Sequence, residues 1–190
     1  MGVTAALEHA IKVRSFPGSP RGGDMGLVLP HDDGALIALI DATGHGLDSY
    51  GVAMEARRTI MANADAPLVD LFARLDDVLR GTLGAAISIA RLQGDALEFG
   101  GIGNVAAYVG LSALHVNVGV VGQRPQRPPH LSRTLLPPNV WLLMHTDGVG
   151  RPDMVPPGSA ETAASALIDS YGRTTDDAAV LLLRRRNGSA

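Results

Sequence analysis

The 190-residue chain contains no cysteine. That excludes disulfides, a thiolate nucleophile and sulfur-ligated zinc together, and it suits a reducing cytoplasm. An excess of positive charge is missing too. Sixteen Lys and Arg stand against 19 Asp and Glu, a formal net charge of −3, so no global field draws in nucleic acid or an anionic membrane. Long apolar runs are absent as well: the stretch 35–40 is among the longest and is far too short to cross a bilayer. The first residues, Met1-Gly-Val-Thr-Ala-Ala, lack the basic-then-apolar order of a signal peptide, and Ala6 breaks the myristoylation pattern. A soluble cytoplasmic protein with no nucleic-acid or membrane partner is expected.

What is present reads as globular. Apolar residues make up 46% and charged residues 18%, and the length suits one domain, 1–190, with a real core. The 23 glycines predict many turns and close backbone approaches. Alternation predicts a half-buried strand over 7–16, followed by turn chemistry at 17–23. A short strand over 25–29 and the turn His31-Asp-Asp-Gly34 lead into 35–40, apolar on both faces and therefore covered on both. Beyond it the period becomes helical. Leu47, Gly51, Met54 and Met61 suggest the apolar stripe of one helix, with Arg57 and Arg58 towards the polar side. Leu68, Leu71, Phe72, Leu75, Val78 and Leu79 form the stripe of a second, ended by Gly81. Short strands over 84–92, 96–100, 105–109 and 113–118 suggest an antiparallel meander. A Pro- and Arg-rich loop over 119–138 holds a further short strand at 131–136. A buried strand at 140–145, a helix over 160–171 and a strand over 178–184 close the chain. The order points to an α+β fold of antiparallel sheets with helices packed outside.

Aspartates fall where strands begin or end. Asp24 precedes the second strand, Asp41 ends 35–40, Asp147 follows 140–145, and Asp176-Asp177 open the last strand. Strand tips fix ligand positions while loops leave an opening. Clustered carboxylates repel unless a cation neutralises them, and an all-oxygen set suits Mg²⁺ or Mn²⁺. Singly, Gly23-Asp24 and Thr146-Asp147-Gly148 are ordinary turns. Asp41-Ala-Thr-Gly-His-Gly46 is more specific, because an acid followed by two glycines flanking a histidine is more than a strand-to-helix turn requires.

Taken in order, Gly22-Gly-Asp24, Asp41-Ala-Thr-Gly-His-Gly46, His145-Thr-Asp-Gly148 and Asp176-Asp-Ala-Ala-Val resemble the motif series of the bacterial PPM (type 2C) serine/threonine phosphatases, and within them the SpoIIE-like branch. Gly84-Ala-Ala-Ile-Ser, Gly103-Asn-Val and Gly119-Val-Val-Gly-Gln-Arg-Pro resemble its RsbX-like members, which act on stressosome proteins. The resemblance implies a four-layer α-β-β-α sandwich with two Mn²⁺ or Mg²⁺ ions at one end. Asp41 would bridge the ions, the Ala42 carbonyl would hold one, and Asp24, Asp147 and Asp176 would complete the set; Asp177 is the weaker choice of its pair. Such a centre implies attack by a metal-activated water, with phosphorylated stressosome proteins of the STAS type as substrates. His45 is the imidazole expected near the metals, with a loop histidine bonded to backbone as the alternative. In place of the larger relatives' Ala-Gly-His stands Ile102-Gly-Asn104, which leaves Asn104 without a transferable role.

Other features carry less. Gly101-Ile-Gly-Asn-Val-Ala106 fits a dinucleotide fingerprint only superficially, because a strand and not a helix follows it. His145 reads as a core histidine, Arg14 and Arg21 as surface residues, and Arg184-Arg-Arg186 as solvated charge. Arg124, Arg127 and Arg133 read either as contacts for an acidic protein or as a solvated loop. Two rival functions remain: a catalytically silent binding module of the same fold, and a phosphatase of small phosphoesters.

Overall fold

The computed structural model describes residues 6–123 and 128–186; Arg124 and Arg127 lie outside the described residues. The elements run β1 (Leu7–Arg14), β2 (Asp24–His31), β3 (Gly34–Ala42), α1 (Leu47–Ala62), α2 (Leu68–Val78), β4 (Ala85–Gln93), β5 (Ala96–Ile102), β6 (Ala106–Val109), β7 (Ser112–Ala113), β8 (Ser132–Leu135), β9 (Leu142–His145), α3 (Ala160–Tyr171) and β10 (Ala178–Arg185). Two five-stranded sheets result, ordered β1-β10-β9-β6-β7 and β2-β3-β4-β5-β8, and every strand pairing in them is antiparallel.

Central strands that are apolar on both faces force the four layers. In β3, Ala35, Ile37 and Leu39 fill the space between the sheets, while Leu36, Ala38 and Ile40 pack outward under α1 and α2. In β10, Ala179, Leu181 and Leu183 face the inter-sheet layer, and Ala178, Val180 and Leu182 lie against α3. Helix α2 buries the expected stripe except Val78: Leu68, Leu71, Phe72, Leu75 and the following Leu79 are all at most 3% exposed, whereas Val78, at the helix end, is 38% exposed. Helix α3 is capped by Ser159, whose Oγ accepts the Thr162 N–H at 3.2 Å.

Helix α1 exists where its period placed it but buries the opposite face. Ser49, Ala53, Ala56 and Ile60 are buried, whereas Leu47 is 70% and Met61 45% exposed. Small side chains at these positions let the helix backbone lie close to the sheet, and a hydropathy stripe weighted towards large residues misses them. The expected meander is also divided. β4 and β5 belong to one sheet and β6 and β7 to the other, the chain crossing over at residues 103–105. The strand expected over 113–118 shrinks to Ser112–Ala113. Beyond it the backbone makes single links, with the Leu114 N–H donating to the Ala107 carbonyl and the Asn117 N–H to the Gly101 carbonyl, both at 2.9 Å. The C-terminal arginines are engaged and not merely solvated. Arg184 donates to Glu8 at 2.7 Å and lies 4.0 Å over the Trp141 ring, and Arg186 reaches Glu8 at 3.4 Å. The Arg184 hydrogen bond holds the Glu8 carboxyl below its ordinary pKa. Arg133 pairs with Glu98 at 3.0 Å from β8. Among the described residues no helix is long and apolar enough to cross a membrane.

Candidate functional site

The alternation that fills the inter-sheet layer also aims the acids. Asp41 continues the inward line Ala35, Ile37, Leu39, so its carboxyl emerges where that layer ends. Asp24 is its register partner across β2 and β3, and opposed residues of an antiparallel pair share a face. The two carboxyls are therefore neighbours by construction. From the other sheet, Asp147 follows the end of β9 and Asp176 precedes β10. Asp41, Asp147 and Asp176 line one cleft of about 650 Å³, together with His45, Asn104 and Val118. Asp24 sits deeper, 6% exposed.

Neighbouring groups hold each acid. The Thr146 hydroxyl accepts the Ala179 N–H at 2.9 Å and donates its one hydrogen to Asp24 Oδ2 at 2.7 Å, which locks Asp24 to the opposite sheet. Asn104 Nδ2 donates to Asp147 Oδ2 at 2.7 Å. Asp176 and Asp177 separate cleanly. Asp177 is 3% exposed, and its two carboxyl oxygens accept the Phe16 and Gly23 N–H groups, each at 2.6 Å. Asp176 faces the cleft and, among the described residues, accepts the Asp177 N–H at 2.9 Å. Gly22 is required by this arrangement, because a Cβ there would run into the Asp177 carboxylate.

His45 is exposed on the cleft wall and stacks on Phe16 with ring centroids 5.3 Å apart. The glycines on either side of it, Gly44 (φ 90°) and Gly46 (φ 86°), adopt left-handed backbone that turns β3 into α1. Ala42 is buried, and its carbonyl oxygen lies beside Gly23, the residue before Asp24. His145 is buried against Tyr108, and burial lowers its pKa. Arg14 donates to the Arg173 carbonyl at 2.6 Å and Arg21 lies 4.6 Å over the Tyr50 ring; neither lines the cleft. The Gly101–Ala106 segment is the crossover between sheets, with a strand after it. Sequence reasoning missed Thr146 and left Asn104 without a role. Thr146 meets Asp24 from 122 residues away and Asn104 meets Asp147 from 43, separations at which no local pattern signals a pair.

Crowding has an electrostatic consequence. Burial, then the Asp41 carboxylate, pushes Asp24 up to about 8. Burial, then Asp147, Asp176 and Asp177, pushes Asp41 up to about 7. The folded metal-free protein thus keeps protons that the unfolded chain has already released, so its stability falls as pH rises through about 7 to 8. His145, with its lowered pKa, works in the opposite sense, but only below the ordinary histidine value of about 6.5. The melting temperature of chelator-treated protein should therefore drop between pH 7 and pH 8.5. A flat or rising profile would contradict the crowding.

The donors are all oxygen, and a hard divalent cation is the group that would relieve their repulsion, so the residues fit Mg²⁺ or Mn²⁺. Among the described residues no three Asp, Glu or His side chains form a ready-made ion cage.

No family profile matches this sequence, and no curated protein matches it. Solved structures do match in fold. A chain of the bacterial stressosome, described as a modular system adapted to control secondary messenger signalling, is 24% identical with a TM-score of 0.86, over 94% of this chain and 100% of that one. RsbX in complex with magnesium is 17% identical with a TM-score of 0.85, over 94% and 95%. The serine/threonine phosphatase of S. agalactiae is 12% identical with a TM-score of 0.81, over 95% and 100%. The chain has the fold of the PPM-type phosphatases.

Proposed function

We propose that the protein is a metal-dependent serine/threonine phosphoprotein phosphatase, the described residues forming part of one phosphatase domain over 1–190. The carrying observation is the convergence of Asp24, Asp41, Asp147 and Asp176, two from each sheet, on one open end of the sandwich. Asp24, Asp41, Asp147 and Asp176 would hold Mn²⁺ or Mg²⁺, with two ions expected. The Ala42 carbonyl, beside Gly23, would hold one of them. Bound there, such ions supply hydroxide at neutral pH and offset charge on the phosphoryl oxygens.

The chain's own residues do the rest. Thr146 and Asn104 orient two of the acids, Asp177 anchors the loop before Asp24, and the cleft leaves room for a phosphorylated side chain. His45, on the cleft wall, would be the group that gives a proton to the leaving serine or threonine oxygen. The stressosome chain and RsbX among the structural relatives support phosphorylated STAS-type stressosome proteins as substrates and a cytoplasmic setting. The alternatives are a silent binding module of the same fold and a phosphatase of small phosphoesters; the crowding of four acids argues against the first, since a silent module has no electrostatic reason to keep them together.

The test is release of phosphate from a phosphorylated STAS protein and from a free phosphoamino acid, each with Mn²⁺ or with excess chelator. Metal-dependent hydrolysis that strongly prefers the protein is expected. Activity that persists in chelator would refute the reading, equal rates would point to small phosphoesters, and no metal-linked activity or stabilisation would point to the silent module.

A further inference from the structure

We infer that Asn104 is a positioning residue for Asp147, holding that carboxylate towards the other acids of the cleft; this rests on the metal-centre reading above. Asn104 sits on the crossover between the sheets, and the backbone on both sides of it is pinned. The buried Ser88 hydroxyl donates to the Val105 carbonyl at 2.8 Å, and the Gly103 N–H donates to the Asn117 carbonyl at 2.8 Å. Gly103, at φ 106°, packs so tightly on Ala86 that no side chain fits there. The amide is therefore delivered by a fixed backbone, and its Nδ2 meets Asp147 Oδ2 at 2.7 Å, where the two residues extend the register of the antiparallel β6–β9 pair beyond Ala106 and His145.

The residue type matters. Asp147 is exposed on a strand-end turn and lines the same cleft as Asp41 and Asp176, so charge repulsion favours its turning away into solvent. The hydrogen bond from Asn104, which lines that cleft too, fixes one of its oxygens and opposes the turn. A lysine or arginine would hold it equally well but would bring a positive charge that competes with a cation for the same oxygens. A neutral amide supplies the hydrogen bond without the charge.

The experiment measures Mn²⁺ affinity by calorimetry, and melting temperature in chelator, for the wild type, Asn104→Ala and Asn104→Asp. Asn104→Ala should weaken Mn²⁺ binding roughly tenfold, as loss of a group that orients a ligand does, while the metal-free melting temperature stays near wild type. Asn104→Asp should weaken binding at least as far, since it removes the donor and sets a like charge against Asp147. If Asn104 instead ligated the ion through its own oxygen, the carboxylate would tighten binding. Tighter binding by Asn104→Asp, unchanged affinity in Asn104→Ala, or an affinity loss matched by a fall in metal-free melting temperature would each overturn the assignment. A wild type that binds no Mn²⁺ would overturn the metal-centre reading, and this assignment with it.

Discussion

Asp177→Ala is expected to cost about 3 kcal/mol of folding stability, whereas Asp176→Ala one residue earlier should cost about 0.5 kcal/mol or less. The asymmetry follows from what each carboxylate touches. Asp177 is buried and takes two short backbone hydrogen bonds, from Phe16 and Gly23, at the loop that delivers Asp24. Removing it strands the buried Gly23 donor and leaves the part-buried Phe16 donor without its partner, and each carries its own desolvation penalty. Some repulsion with Asp24 and Asp41 is relieved at the same time, but two lost charge-assisted bonds outweigh it. Asp176 is exposed and, among the described residues, accepts its neighbour's N–H. For a chain of this size the Asp177 variant should melt roughly 10 °C lower. Asp176→Ala should keep the wild-type melting temperature while losing metal-dependent turnover. Denaturant titration of the two variants checks this, and equal stability losses would contradict the assignment of a structural role to one acid and an open role to the other.

Asp41→Asn is expected to lower phosphoserine turnover by a factor on the order of 10³, since a cation misplaced at the reacting phosphoryl group forfeits several kcal/mol of transition-state stabilisation. The same variant should be more stable than wild type in chelator at pH 8. Asp41 is the acid that Asp147, Asp176 and Asp177 all crowd, and a neutral amide of the same shape removes that repulsion. Activity falling while metal-free stability rises is the signature of a residue kept for its charge. A merely structural aspartate would lose both together. Melting curves in chelator beside turnover in Mn²⁺ separate the two cases.

The layers were legible because burial leaves a period. A strand apolar on both faces, such as β3, needs cover on both, and the α2 stripe reads directly as a buried helix face. Where packing depends on small residues the signal fades. Ala53 and Ala56 weigh less in a hydropathy pattern than Leu47 and Met61, yet they are the side chains that face the sheet in α1. The division of the meander was hidden for a related reason: β5 and β6 look like successive hairpin strands, and only the tight Gly103 crossover sends the chain to the other sheet.

At the site, the candidate acids stand out as aspartates at strand tips, two of them, Asp24 and Asp147, beside glycine. What keeps them in place does not. Thr146 finds Asp24 across the gap between sheets, Asn104 finds Asp147 from the neighbouring strand of one sheet, and Asp177 looks in sequence like a twin of Asp176 although its hydrogen bonds give it a different task.

The most direct measurement is anomalous X-ray scattering from crystals of the protein soaked in Mn²⁺. The account predicts anomalous peaks within the cleft, within ligand distance of carboxylate oxygens of Asp24, Asp41, Asp147 and Asp176, and none against Asp177. Well-diffracting crystals with no peak in the cleft at saturating Mn²⁺, or with peaks only elsewhere on the surface, would contradict it.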